Sequence, residues 1–402
     1  MSTVALPELR HSRSLRKLPD QEIRLRRTPR LLTLPSNCPS PKNPNILTPT
    51  PSLHFIDNQL LPSRAQHHKN ALKESLPKPF SISQEHRAKL STNSYGVSKA
   101  YAVITHPGLV RNYNEDRACI SINMLKKQSN SDKSLPKCSY FSIFDGHGGS
   151  SCADFLRNNL HQYIIQEESF PSNPKQAIEK ACSKAEQEFM KRAQGEVVDS
   201  SGSCCIFALF VGDMCYVANV GDSRAILSCE RGSKVKALSR DHKPSDEVEK
   251  CRIIDAGGSL YQTPFGYNKF GPVRVNPGRL SVSRTFGDIE AKIPSMGGIP
   301  NVISSVPEIM SFKITDEYDF IILGSDGIFD QLTNKEIITQ AWRADCWESE
   351  NIHHRCGAAV ESIIQLAFER RATDNLTTMM IALKGFKKAA KSRLRHRITP
   401  VV

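Results

Sequence analysis

Five carboxylates in this chain stand where an apolar run gives way to a polar or glycine-bearing turn. They are Glu115 and Asp116 in RNYNEDR, Asp145 in YFSIFDGHGG, Asp326 in DFIILGSDGIFD and Asp374 in RRATDNLTT, spread over about 260 residues. Each alone reads as a turn or a helix cap, but the recurrence of one grammar at several strand ends argues for convergence. Brought together in space, such groups repel unless a cation sits between them. The pattern therefore points to a multinuclear metal site. Its candidate ligands are all oxygen, without paired cysteines or clustered histidines, which selects hard cations such as Mg²⁺ or Mn²⁺ over zinc. Two such ions about 3.5–4 Å apart would activate a shared water and clamp an in-line displacement at phosphorus. Arg111, four residues before Glu115, adds a guanidinium fork suited to phosphate oxygens. Gly146 has no side chain to shield its carbonyl, a further candidate ligand. His147, two residues past Asp145, is placed to protonate an alkoxide leaving group, with a role as an orienter of the metal carboxylate as the competing reading. The chemistry is hydrolysis of a phosphate ester.

The elements that must position these groups are strand-heavy from residue 96 to 386. Short β-branched and aromatic runs separated by turn signals occur at 100–105, 117–122, 140–144, 204–210, 214–220, 319–325 and 377–383. Apolar positions at helical spacing mark 151–165, 174–193 and 357–371. Asn173 and Pro174 suit a cap and first position, and Thr333 with Glu336 reads as a capping box. Helices come in groups and do not alternate strictly with strands, which argues against a doubly wound parallel sheet. An α+β arrangement of antiparallel sheets covered by helices fits.

The net charge of +13 belongs to the ends of the chain. Residues 1–95 hold 15 Lys and Arg against 6 Asp and Glu, and residues 387–402 hold 6 against none, which leaves the middle slightly acidic. A nucleic-acid-binding core is not implied. Residues 1–95, rich in Pro, Ser and basic side chains and lacking apolar periodicity, are expected to be a mostly disordered extension, and 387–402 a basic tail. The Arg-rich start also resembles a transit peptide or a phosphate-rich surface binder, although Glu8, Asp20 and Glu22 weaken the former. The 12 cysteines lie within apolar runs without C-x-x-C spacing, as buried reduced thiols of a cytoplasmic or nuclear protein would. No stretch has the roughly 20 apolar residues of a spanning helix. Peripheral membrane association through the basic ends is compatible with this.

Eight strings in order, RNYNEDR, FDGHGG, SGSC, NVGDSRA, DHKPSD, LSVSRTFGD, GSDGIFD and TDNLTT, resemble the type 2C, metal-dependent Ser/Thr protein phosphatases. The resemblance implies a central sandwich of two antiparallel sheets with helices on both outer faces and a dinuclear Mg²⁺ or Mn²⁺ site in a cleft at one end. Carried over by position, Asp145 would bridge the ions, Glu115 and the Gly146 carbonyl would serve one, and Asp326 and Asp374 the other. Asp116 would orient the attacking water, Arg111 would bind the substrate phosphate and His147 would be the general acid. Asp222, Asp326 and Asp330 match a third, weaker metal position of some members. Asp241 and Asp288 also belong to these strings and are read as structural. Phe329 stands where many members have Trp. Residues 259–279 correspond to a variable flap, whose aromatics suit either peptide contact or self-packing.

The expected activity is hydrolysis of phosphoserine and phosphothreonine in phosphoprotein substrates by a monomer. The alternative is an inactive binding module on the same scaffold, against which the retained Arg111, Asp145, Asp326 and Asp374 speak.

Overall fold

The computed structural model describes residues 83–124, 136–264, 270–343 and 349–387. Most of the expected N-terminal extension and nearly all of the C-terminal tail lie outside the described residues.

Strands β1 (Lys89–Leu90), β2 (Ala100–His106), β3 (Arg117–Ile122), β4 (Cys138–His147), β5 (Gly202–Val211), β6 (Met214–Val220), β7 (Arg224–Cys229) and β8 (Lys234–Ala237) are followed by β9 (Ser259–Pro264), β10 (Phe270–Asn276), β11 (Phe286–Gly287), β12 (Glu308–Lys313), β13 (Tyr318–Gly324) and β14 (Leu376–Ala382). One antiparallel sheet runs β1-β2-β14-β13-β7-β8. The second runs β12-β6-β5-β4-β3, with β11 beside β5. The helices are α1 (Ser151–Gln166), α2 (Pro174–Ala193), α3 (Glu247–Asp255), α4 (Ile289–Lys292), α5 (Asp326–Phe329), α6 (Asn334–Ala341) and α7 (Ile352–Glu369).

The two sheets face each other across a core that includes Val103, Phe141, Ile143, Ile206, Val217, Leu323 and Met379. The outer face of the first sheet packs on α6 and α7 through Ile338, Val360 and Ile364 against Phe320 and Met380. That of the second packs on α1 and α2 through Leu156, Leu160 and Phe189 with Tyr140 and Phe207. Strands covered on both faces show unbroken burial instead of alternation, as β5 and β14 do. This is the expected sandwich between helical layers.

Side chains alternate across a strand, so the residues aimed between the sheets form a series of every second position. In β4 the series Phe141, Ile143 continues to Asp145, and in β14 Ile381, Met379 continues to Thr377. In β5, Phe210, Ala208, Ile206 leads to Cys204. At one end of the sandwich the inward series thus turns from apolar to polar. That end is the candidate site.

Local signals hold where they were legible. Asn173 and Thr333 accept from the backbone N–H groups of Gln176 and Glu336, and Thr333 and Glu336 close the capping box. The last helix begins at Ile352, earlier than its periodicity indicated, with Asn351 capping the N–H of His353. The flap residues form a two-stranded hairpin, β9 with β10, and residues 265–269 of it are outside the description. Sheet structure also begins before residue 96. Lys89 and Leu90 pair with Val103 and Ala102, Ala88 N–H donates to Glu361 Oε1, and a Cβ on Gly357 would lie 2.3 Å from Leu90 Cδ2. Composition assigned these residues to the extension because a two-residue strand carries no period of its own.

Candidate metal centre

Three carboxylates from three places in the chain converge: Asp145 at the end of β4, Asp222 in the turn after β6 and Asp326 at the start of α5. Each offers an oxygen, and these oxygens lie within 4.8 Å of one another. The Asp326 N–H donates to Asp145 Oδ2 at 3.3 Å. Burial, and then the charges of Asp326, Asp116 and Asp222, push the Asp145 carboxyl well above the usual carboxylate range. Burial, followed by Asp222, Asp330, Asp374 and Asp116, does the same to Asp326. Like charges held this close repel, and a divalent cation would neutralise them. The backbone is equally close: a Cβ on Gly146 would stand 2.6 Å from the Glu115 carbonyl oxygen, so glycine alone fits between that strand and the Glu115 segment. An all-oxygen donor set of this kind fits Mg²⁺ or Mn²⁺.

The other predicted site residues surround this group with partners of their own. Asp116 is 3% exposed; its Oδ2 accepts from Ser325 Oγ at 2.9 Å and its Oδ1 is buried without a hydrogen-bond partner. Burial raises its pKa to about 6, opposed by the hydroxyls of Thr377 and Ser325. Glu115 Oε1 accepts from the Gly149 N–H at 2.6 Å. Arg111 forms a 2.7 Å ion pair with Asp374 Oδ2 at the surface. The structure therefore ties the expected phosphate binder to an expected metal ligand.

His147 Nε2 lies 2.9 Å from Asp288. Burial lowers the imidazole pKa, but the charge and hydrogen bond of Asp288 outweigh it and the net shift is upward. Asp330 is 54% exposed at its side chain and is paired at 3.1 Å with Lys243, whose Nζ is also 3.6 Å from Asp222 Oδ2. An ammonium group thus sits on two of the three carboxylates matched to a third ion.

Sequence reasoning missed several of these partners. Asp288 was read as fixing a turn, which it does by accepting from Thr285 Oγ1 at 2.6 Å, but its contact with His147 spans 141 positions. Lys243 stood in DHKPSD without an assigned role. Asn375, beside Asp374, is a buried clamp: its Oδ1 accepts from the Glu115 N–H, and its Nδ2 donates to the carbonyls of Pro107 and Tyr113. Asp241 is structural as expected, paired at 2.7 Å with Arg224.

Comparison with known proteins agrees with this arrangement. The sequence profile described as Protein phosphatase 2C matches residues 108–376. A rice (Oryza sativa subsp. japonica) relative named probable protein phosphatase 2C 45 is 35% identical over 241 residues, which cover 60% of this chain and 75% of that protein. Arabidopsis thaliana probable protein phosphatase 2C 27 is 34% identical over 242 residues, 60% of this chain and 58% of the relative. The fold is similar to the crystal structure of a serine-threonine phosphatase 2C from Toxoplasma gondii, with a TM-score of 0.59 at 20% identity, covering 74% of this chain and 99% of that one. The profile spans every acidic and basic residue of the site described above, and the sandwich and the relatives agree with it: the chain belongs to the protein phosphatase 2C family of metal-dependent Ser/Thr protein phosphatases.

Proposed function

We propose that this chain hydrolyses phosphoserine and phosphothreonine in phosphoprotein substrates at a centre of two Mg²⁺ or Mn²⁺ ions. The convergence of Asp145 and Asp326, whose carboxylate oxygens lie within 4.8 Å of each other, carries the reading. Asp145, Glu115, the Gly146 carbonyl, Asp326 and Asp374 would hold the ions. When bound, such ions supply an activated water and stabilise charge on the phosphoryl oxygens.

The protein's own groups do the rest. Arg111, half exposed and paired with Asp374, exchanges that carboxylate for the substrate phosphate, which its fork can hold by two parallel bonds. Asp116 offers the unpartnered Oδ1 to the attacking water and so fixes its direction. His147, held as a proton donor by Asp288, gives its proton to the serine or threonine oxygen as the P–O bond breaks. Lys243 favours a count of two: its ammonium already neutralises Asp222 and Asp330, where a third ion would otherwise be held.

Nine of the described cysteines, among them the buried Cys138, Cys204 and Cys205, are free thiols, which supports a reducing compartment, cytoplasm or nucleus. No helix among the described residues is long and apolar enough to cross a membrane. All groups of the site come from one chain, so a monomer suffices. Hydrolysis of a phosphothreonine peptide with and without each ion, alongside calorimetric Mn²⁺ titration, tests the proposal. Turnover in excess chelator, or a stoichiometry of one, would overturn it.

A further inference from the structure

The loop that carries Arg111 forms one wall of a groove of about 440 Å³. Tyr113, two residues from Arg111 and 67% exposed, lies in that wall. Arg87 and Lys89 lie in another part of it; both are exposed, and neither makes an ion pair among the described residues. Arg117 and Arg157 also line the groove but share the single carboxylate of Asp154. Against these cations stand Glu85, which is exposed, and Asp116, which is buried. The wall carries a positive excess.

The groove and the phosphate-binding residue belong to one piece of structure. Asn375 Nδ2 holds the carbonyls of Pro107 and Tyr113, and its Oδ1 holds the Glu115 N–H, so the segment on either side of Arg111 is pinned. An extended peptide rises about 3.3 Å per residue. A peptide with its phosphate on Arg111 would thus have flanking residues beside the groove that Tyr113, Arg87 and Lys89 line.

We propose that this groove seats the polypeptide flanking the phosphorylated residue and favours acidic side chains there. The inference rests on the phosphatase reading above and adds a substrate class to it. Its two supports are continuity with Arg111 and the charge of the wall.

The test uses the full chain with Mn²⁺ and three substrates: p-nitrophenyl phosphate, a phosphothreonine peptide with neutral flanks and the same peptide with Asp and Glu flanks. The wild type should have the higher kcat/KM on the acidic peptide. The double variant Arg87→Glu/Lys89→Glu should lose about tenfold on that peptide, as two partly exposed ion pairs allow. Its rate on p-nitrophenyl phosphate should hold, which also reports that it folds. Equal wild-type kcat/KM for acidic and neutral peptides, or an unchanged ratio in the variant, would overturn the groove. Absence of wild-type turnover on p-nitrophenyl phosphate would instead bring down the phosphatase reading.

Discussion

His147 Nε2 lies 2.9 Å from both carboxylate oxygens of Asp288, a residue held at φ 52° in left-handed backbone by the turn that opens α4. The pair joins the end of β4 to a segment 141 positions later. A carboxylate in this position orients the ring and stabilises its protonated form. His147→Ala is expected to slow hydrolysis of phosphoserine peptides by about 10²-fold, the lower range for general acid catalysis. Aryl phosphates, whose leaving groups need no proton, should lose far less. Asp288→Asn should produce the same asymmetry in milder form, and equal losses on both substrates would remove the acid role.

Asp326→Asn removes one member of the carboxylate trio. Turnover should fall below detection, and the rise in Tm that Mn²⁺ gives the wild type should shrink or vanish, since a ligand stabilises only what it binds. Without metal the variant should melt no lower than the wild type, because a buried like-charge repulsion has been relieved. Differential scanning calorimetry with and without chelator checks both expectations.

Lys243→Gln withdraws the ammonium from Asp222 and Asp330. The variant should bind an additional, weaker Mn²⁺ that the wild type lacks, readable as a change in calorimetric stoichiometry. An unchanged ion count would mean that the lysine does not occupy a cation position.

Glu249 in α3 is fully buried and accepts from Arg252, Arg284 and Ser283. Burial alone would raise its pKa, but Arg284, Ser283 and Arg252 outweigh it and bring the carboxyl down to about 2. A depressed folded-state pKa gives stability that is present above the unfolded value near 4.5 and is lost as pH falls towards 2. The shift corresponds to about 3 kcal/mol, and Glu249→Gln should lose a comparable amount at neutral pH. Urea unfolding at pH 7 and pH 3 measures it: the variant should differ from the wild type at pH 7, and the difference should shrink by roughly half at pH 3.

Two N-terminal deletions should behave differently. Removing residues 1–82 is expected to leave hydrolysis of small phosphates unchanged. Removing 1–95 also takes away the β1 pairing and the Leu90 contact with Gly357, and should lower Tm by several degrees, as a loss of 1–2 kcal/mol would.

The sequence exposes the strand-end carboxylates because the physics that places them is local. A hydrophobic series of every second residue ends in Asp145, and a similar apolar run ends just before Asp326, each followed by glycine. Helix caps such as Thr333 with Glu336 are legible for the same reason. What remains hidden is pairing across the fold. Nothing near Lys243 announces Asp330, 87 positions away, and a lone Asn375 does not reveal three backbone partners. The flap hairpin was hidden too, since its exposed strands lack the apolar alternation that marks a half-buried one. The extra strand at residues 89–90 is defined by what it touches and not by its composition.

The position of β14 between β2 and β13 has a consequence for how the protein is made. The last strand among the described residues is an interior one, and it follows directly on Asn375, the clamp of the Arg111 segment. Until it emerges, the nascent chain carries two unpaired strand edges flanking a gap, the kind of surface that recruits chaperones or invites aggregation. A transcript truncated before residue 374 would therefore yield a sticky, inert polypeptide, however much of the second sheet had already assembled.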